Sequence, residues 1–144
     1  MVEVVDMNMA EITALLQEAD FAHLACARNN HPYIIPIHYV YRERFIYIVT
    51  TEGKKTDILA RNPEVCLQVE QIISASQWRS VIINGRAERL VQPAKRQDAL
   101  AIILERNPAL TPARSKTWKD NWGFESVQVI YRIEPQTISG RKTL

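Results

Sequence analysis

A short polar turn between two apolar runs carries the residue types that bind a phosphate group. Thr50 and Thr51 end one run, and Gly53, Lys54 and Lys55 follow before the chain takes on helical spacing. The first backbone N–H groups of a helix have no partner within the helix, and the helix dipole is positive there. Glycine allows a close backbone approach, lysines add charge and threonines add hydroxyl donors. The spacing therefore predicts a dianion site, with an ordinary solvated turn as the alternative.

The elements that must hold this turn are indicated by the spacing of apolar residues. Helical spacing predicts helices over 9–19, 53–62 and 94–107. Runs rich in β-branched and aromatic residues, separated by short polar turns, predict strands over 21–27, 33–41, 45–51, 64–73, 78–91 and 126–140. The segment 108–124 is expected to be irregular.

Local signals refine these elements. Asn8 is the expected N-cap of the first helix, with Glu11 completing a capping box. Gly85 is expected to mark a bulge in a long strand. Pro93 should open the last helix, whose buried stripe is predicted to be Leu100, Ile103 and Leu104.

The fold class follows from the order of the elements. About six strands joined by short turns predict a mainly β protein with an antiparallel sheet, and closure into a barrel would remove exposed edges. A chain of 144 residues is expected to form one domain, 1–144.

Composition narrows the class of protein. The sequence is 47% apolar and 24% charged with a net charge of +2, which is typical of a soluble globular protein and too balanced to predict nucleic-acid binding. No apolar stretch approaches the roughly 20 residues of a membrane span. The first residues are acidic rather than apolar, so no signal peptide is expected and the predicted location is the cytoplasm.

Few side chains outside the turn are candidates for chemistry. Cys26 and Cys66 lie in separate apolar runs and are expected to be buried and unpaired. His23 and His31 have no neighbouring carboxylate or cysteine pair, so no metal site is expected. The sequence contains no GxSxG or GxGxxG motif that would predict a hydrolase or a Rossmann nucleotide site.

Two further groups of side chains are expected to have a packing or surface role. Trp118 and Trp122 are expected to pack in the core or an interface, with the covering of a flat ligand as the alternative. A loose basic group is expected to be a solvated face, with anion binding as the alternative; its members are Arg86, Arg89, Lys95 and Arg96.

Three longer segments together resemble a known family. These are "HPYIIPIHYVY", then "FIYIVTTEGKKTDILARNPEVCLQV", then "WRSVIINGRAERL". Their order and spacing resemble the flavin-nucleotide-binding relatives of pyridoxamine 5′-phosphate oxidase, and most closely the branch that includes the nitroimidazole-resistance proteins. The resemblance covers roughly residues 12–91, with a weaker likeness over 133–142.

The resemblance implies a split β-barrel homodimer that binds FMN at the subunit interface. It implies that the flavin phosphate lies at Gly53, Lys54 and Lys55, preceded by the hydroxyls of Thr50 and Thr51. It also implies that a strand and a second segment reach the cofactor; these comprise Pro36, Ile37, His38 and Tyr39, and Arg79, Ser80 and Val81. Strand alternation puts His38 on the side opposite Ile37 and Tyr39, without indicating which side faces a ligand.

The implied function is that of a flavin-dependent oxidoreductase, with a reduced nicotinamide as donor and a small acceptor. The chain ends "QTISGRKTL" and lacks the C-terminal Arg-Leu signature of the pyridoxamine phosphate oxidases proper, so vitamin B6 oxidation is not expected. The flavin would carry the redox chemistry, so the lack of an obvious catalytic acid or base fits this function. The alternative is a non-catalytic carrier, sensor or store of flavin, deazaflavin or haem. A haem would need an axial ligand such as His23, His31 or His38. A third alternative is a barrel that has lost its ligand and serves only in interactions.

Overall fold

The computed structural model describes residues 1–106 and 128–144. Strands and helices alternate irregularly along the chain. The strands are β1 (Val4–Asp6), β2 (Phe21–Arg28), β3 (His31–His38), β4 (Val40–Arg42), β5 (Phe45–Thr51), β6 (Glu64–Ser74), β7 (Gln77–Arg89) and β8 (Gln128–Thr143). The helices are α1 (Met9–Glu18), α2 (Lys54–Arg61) and α3 (Pro93–Arg106).

The strands form one antiparallel sheet in the order β3-β2-β6-β7-β8-β5-β4, and β1 pairs with the far end of β8. The two edge strands, β3 and β4, are joined through Tyr39 and do not pair with each other. The sheet is therefore an antiparallel barrel left open between β3 and β4, the split barrel that the resemblance implies.

The apolar side chains form two separate clusters. The larger lies inside the barrel, where Leu67, Val81 and Ile83 are fully buried, and α1 adds Leu15 and Leu16 to it. The smaller lies outside the barrel beneath α3 and consists of Val40, Val49, Leu90, Ala99, Ile103 and Ile130. Both faces of β5 are therefore covered, which holds the end of that strand in place ahead of α2.

Several local predictions are confirmed. The capping box at α1 is present, with the Glu11 N–H 2.9 Å from Asn8 Oδ1 and the Asn8 N–H 3.1 Å from Glu11 Oε1. The register between β7 and β8 shifts at Asn84 and Gly85, as expected for a bulge. A Cβ atom at Gly85 would lie 2.4 Å from the carbonyl oxygen of Glu134, so the close approach of two backbones requires glycine there.

Other details differ from the prediction. The predicted strand 33–41 is divided at Tyr39, whose hydroxyl donates to the Leu16 carbonyl at 2.7 Å and fixes a corner between β3 and β4. This division and the short β1 raise the number of strands from the expected six to eight within residues 1–106 and 128–144. The turn before β3 is confined to Asn29 and Asn30, both with positive φ.

The buried face of α3 is displaced by one residue from the predicted stripe. Ala99 and Ile103 are buried, while Leu100 is partly buried and Leu104 is exposed. Predicted segment 108–124, with Trp118 and Trp122, lies outside the described residues. No helix in the described ranges combines the length and apolarity that a membrane crossing requires.

Candidate cofactor site

The turn before α2 is held by one buried threonine. Thr56 Oγ1 accepts the Gly53 N–H at 2.9 Å and donates to the Gly53 carbonyl oxygen at 2.8 Å. The first turn of α2 is thereby closed, and the amides of Lys54 and Lys55 are left without helix partners. A Cβ at Gly53 would meet no atom within 4 Å, so the space beside this backbone is open. The backbone at Gly53 is therefore open to a ligand on this side.

Lys55 lies in surroundings that disfavour its charge. Its half-buried side chain lines a small internal void together with Leu24, Thr50 and Tyr131. Burial lowers the pKa of Lys55 below its ordinary value, and the neighbouring Cys26 thiol only partly opposes this. Within the part of the chain that the structure describes, Lys55 has no carboxylate at ion-pair distance. A cation in this position lacks a counterion.

Lys54 points in a different direction. Its Nζ lies 4.8 Å from the centroid of the Tyr33 ring, at the edge of a cleft between α2 and the turn that joins β2 to β3. The two lysine side chains thus line two different spaces: Lys55 lines the void inside the barrel, and Lys54 lines this cleft.

The predicted cluster of hydroxyls and lysines is only partly assembled. Thr50 and Lys55 line the same void, whereas Thr51 is the next residue of β5 and faces the other side of the strand. Strand alternation therefore separates the two hydroxyls, and the assignment of Thr51 to the phosphate site stays a prediction.

The predicted flavin-lining strand is divided between the inside and the outside of the barrel. Ile37 and Tyr39 are buried in the inner core, and Pro36 is exposed on the outer face. His38 is half-buried on the outer side, with its ring centroid 4.4 Å from that of Phe21. The His38 Nδ1 atom is buried without a hydrogen-bond partner, so a polar partner is missing at this position.

The segment Arg79–Ser80–Val81 lies far from the turn within one chain. Val81 is fully buried, and Arg79 is bound to Glu18 at 3.0 Å, near the end of α1. Arg89, ten residues further along β7, instead binds Glu52 beside the turn at 2.6 Å. Ten strand residues span about 33 Å, so Arg79 and the Gly53 turn occupy opposite ends of one barrel.

Ser80 faces outward and belongs to a polar row on the sheet. It accepts a hydrogen bond from Gln68 Nε2 at 3.0 Å, and Gln68 Oε1 lies 3.2 Å from His23 Nδ1. Exposed apolar side chains surround this row: Phe21 is 59% exposed, Ile34 63% and Ile82 40%. The outer face of β3, β2, β6 and β7 therefore combines a few polar groups with uncovered apolar area; we call it the outer sheet face.

The remaining basic residues are mostly occupied by other groups. Arg86 forms an ion pair with Glu64, Arg89 with Glu52, and Arg96 donates to the carbonyl oxygens of Leu90 and Gln128. Three of the four basic residues predicted to form a solvated face are therefore bound to other groups of the chain.

The cysteines are both free. Cys26 is buried and Cys66 is half-buried, and burial raises the pKa of both thiols. They lie on neighbouring strands but face opposite sides of the sheet, since Cys66 is paired with Ala25.

Two features of the site are not apparent from the sequence alone. Thr56 is an N3 residue that closes the turn through its hydroxyl, and this is visible only once the helix start is known. The cleft at Lys54 joins residues separated by more than twenty positions in the chain, so only the antiparallel pairing of β2 and β3 with α2 above them reveals it.

Comparison with known proteins extends these observations. The sequence model of the pyridoxamine 5′-phosphate oxidase family matches residues 8–142. An uncharacterized protein of Rhizobium meliloti (strain 1021) is 29% identical over 141 residues, covering 94% of this chain and 92% of that protein.

Solved structures with the same fold include flavin-binding proteins. A crystal structure of an FAD-binding protein of Mesorhizobium loti has a TM-score of 0.76 with 27% identity, covering 100% of this chain and 99% of that one. A candidate 5-nitroimidazole antibiotic resistance protein of Bacteroides thetaiotaomicron has a TM-score of 0.77 at 16% identity, covering 99% and 89%. The FAD binding protein of Mycobacterium smegmatis has a TM-score of 0.69 at 21% identity, covering 95% and 98%. The fold assigned above is therefore one that known flavin-binding proteins share.

Proposed function

Because this chain belongs to the pyridoxamine 5′-phosphate oxidase family, we propose that it binds a flavin nucleotide, FMN or a larger derivative of it, as a homodimer. The likeness to an FAD-binding protein at 27% identity supports a flavin cofactor. The proposed phosphate site is the start of α2, with the backbone N–H groups and side chains of Lys54 and Lys55.

The observation that carries this proposal is Lys55, which has no counterion among the described residues. A partly buried ammonium group without a counterion costs folding free energy, which a phosphate group would offset on binding. The open space beside Gly53 and the free amides at the helix start fit the same anion. The residues present therefore fit a flavin phosphate, and Thr50 is the threonine that lines the same void as Lys55.

The proposed ring site lies along β3. Pro36 is three residues and His38 five residues beyond Tyr33, the residue that Lys54 contacts. This places them about 10 and 17 Å from the phosphate end of the strand. We propose that the backbone of Pro36, Ile37, His38 and Tyr39 runs beside the ring. The unpartnered His38 Nδ1 supports a polar contact there, from the cofactor or from a second chain.

A second chain is part of the proposal because one chain is incomplete. Arg79 and Ser80 lie at the far end of the barrel from the Gly53 turn, so one chain does not bring them to the same phosphate. A second copy seated on the outer sheet face would cover Phe21, Ile34 and Ile82 and could bring its own Arg79–Ser80 segment to the site. Free cysteines at both positions are in keeping with the proposed cytoplasmic location, where thiols stay reduced.

The proposed activity is that of an oxidoreductase, with a reduced nicotinamide as donor and a small acceptor. A bound flavin supplies the electron-transfer chemistry, and the protein contributes binding, orientation and electrostatics. The buried walls at Ile37 and Tyr39 would exclude water from one side of the site. Flavin binding without turnover is the second candidate function, because the proposed contacts hold the cofactor and none of them requires a reaction.

An absorption spectrum of the purified protein tests the proposal. We expect flavin bands as isolated, or saturable binding when FMN is added to apoprotein, and nicotinamide-dependent bleaching of those bands if turnover occurs. Stable flavin bands that a reduced nicotinamide does not bleach would favour the non-catalytic function. A Soret band would show that the cofactor is haem rather than flavin. If the protein binds no flavin at all, the proposal is overturned.

A further inference from the structure

We propose that the cavity between α1, the β4–β5 turn and β8 binds a small zwitterion with an apolar side chain, of the size of an amino acid or a dipeptide. This cavity is separate from the start of α2. Phe45 lines it at one end of β5, and Thr51 lies at the other end of the same strand, about 20 Å away. The zwitterion site is therefore independent of the proposed flavin site.

The cavity lies at a gap in the sheet. Strand β8 pairs with β5 as far as Ile133 and with β1 from Arg141 onward, and between these residues it pairs with β7 alone. Within the described ranges, the other side of residues 134–140 has no strand partner, apart from the Gly140 carbonyl oxygen, which accepts the Met7 N–H at 2.9 Å. An open strand edge offers main-chain donors and acceptors to a ligand that carries N–H and C=O groups of its own.

The cavity has the size and the apolar surface that such a ligand needs. It measures about 400 Å³, and small-molecule sites begin at about 300 Å³. Apolar surface comes from Met9 on α1, Phe45 on β5, and Pro135 and Ile138 on β8. These residues would contact the side chain of the ligand and leave its charged ends to other groups.

Arg44 and Glu134 give the cavity one charge of each sign. Both are exposed, and neither forms an ion pair with the other or with any other described residue. The nearby Arg42, by contrast, is bound to Glu105 at 2.6 Å. A ligand with both a carboxylate and an ammonium group complements this pair, whereas a simple anion or cation would meet one like charge.

Arg44 also adopts a backbone conformation that its residue type disfavours. Glu43 and Arg44 form the two-residue turn between β4 and β5, with φ values of 51° and 71°. Such turns favour asparagine and glycine, and the β2–β3 turn has Asn29 and Asn30 with the same sign of φ. Strained residues of this kind concentrate at ligand-binding sites. An arginine at this position is therefore better explained by a ligand than by the turn itself.

Titration of ¹⁵N-labelled protein, followed by amide chemical shifts, tests the site with four probes. We expect saturable binding of L-leucine and L-leucyl-L-leucine with shifts centred on Arg44 and Ile138, and the tighter of the two gives the length of the ligand. N-acetyl-L-leucine lacks the ammonium group and L-leucinamide lacks the carboxylate. Each should bind about two- to fivefold more weakly than L-leucine, the value of one exposed charge contact.

Two variants assign the two ends of the ligand. Arg44→Gly suits the turn and removes the guanidinium group, and Glu134→Gln removes the carboxylate charge with little change of shape. Both should weaken L-leucine about two- to fivefold. Arg44→Gly should not weaken L-leucinamide, and Glu134→Gln should not weaken N-acetyl-L-leucine. Arg61→Ala and Glu3→Gln, which remove exposed charges outside the cavity, should leave all these affinities unchanged.

The outcomes are distinct from those that test the flavin site. If neither zwitterion binds, or if L-leucine, N-acetyl-L-leucine and L-leucinamide bind equally, the assignment of this cavity is overturned. Undiminished binding of L-leucine in both Arg44→Gly and Glu134→Gln would overturn it as well. Each of these results leaves flavin binding at the start of α2 in place, and a protein that binds no flavin would leave the zwitterion site in place.

Discussion

Lys55 carries a charge at a position that favours a neutral side chain. Its ammonium group is partly withdrawn from water, and its pKa is lowered from the ordinary value of 10.5 by that burial. A lysine retained under these conditions is more readily explained by an anionic ligand than by stability, because burying an unpaired charge opposes folding.

The pH dependence of folding should show this directly. Between the lowered pKa of Lys55 and 10.5, the unfolded chain holds a proton that the folded chain has lost, so the free energy of unfolding rises with pH across that interval. The Lys55→Met variant has no ammonium group at this position, so its free energy of unfolding lacks this pH dependence. Below the interval the variant should be more stable than the wild-type apoprotein, and the difference should shrink as the pH rises through the interval toward 10.5.

Urea unfolding of both apoproteins measures this difference. Tyr39, whose pKa is raised mainly by burial, is common to both proteins, so its titration cancels in the comparison. A difference in unfolding free energy that does not change with pH would show that Lys55 is adequately solvated in the folded chain.

At the scale of elements, the start of α2 depends on Thr56. Its hydroxyl makes both hydrogen bonds to Gly53, and the residue is almost fully buried. Thr56→Ala should lower the free energy of unfolding by about 1–2 kcal/mol and weaken flavin binding, since the turn loses its fixed shape. Thr56→Ser keeps the hydroxyl and is the matched control. Thermal stability and flavin affinity should both decrease in the order wild type, Thr56→Ser, Thr56→Ala. If the serine and alanine variants are indistinguishable, the Thr56 hydroxyl does not hold the turn.

The bulge in β7 provides a second test at this scale. Gly85→Ala would place a methyl group against the carbonyl oxygen of Glu134, and we expect a loss of about 2–3 kcal/mol from the resulting backbone shift. Gly53→Ala, where the added carbon meets no atom within 4 Å, should cost less than about 1 kcal/mol. Equal losses, measured by chemical denaturation, would argue against the tight β7–β8 contact.

Some features of the helices and strands can be predicted from the sequence, and others cannot. The capping box of α1, the bulge at Gly85 and the helix after Thr51 follow from residues close together in the chain, and these predictions are confirmed. The orientation of Thr50 relative to Lys55 and the distance of Arg79 from the turn depend on strand register. Register is set by pairing across the sheet, so local spacing could not reveal either.

At the scale of the whole molecule, the outer sheet face is the surface expected to pair with a second copy. Ile34 lies on its edge strand β3, which is proposed to line the cofactor, and is 63% exposed. Ile34→Glu should raise the dissociation constant of the dimer at least tenfold and weaken flavin binding with it, because a charge would be buried in the interface. Sedimentation equilibrium and flavin titration measure the two effects.

Val91→Glu is the control for this experiment. Val91 is 72% exposed but follows β7 and precedes α3, away from the outer sheet face. It should leave both the dimer and flavin binding unchanged. Loss of the dimer in Ile34→Glu with undiminished flavin affinity would show that one chain is sufficient for the cofactor.

The proposed function depends on a phosphate bound at the start of α2. The ratio of FMN to riboflavin affinity tests this phosphate site most directly, because the two ligands differ only in that phosphate. We predict that the wild type prefers FMN by about ten- to a hundredfold, the value of a charge-assisted phosphate contact, and that Lys55→Met brings the ratio close to one. Equal affinities in the wild type, or equal losses of both ligands in the variant, would contradict the assignment of the Gly53–Lys55 turn to a flavin phosphate.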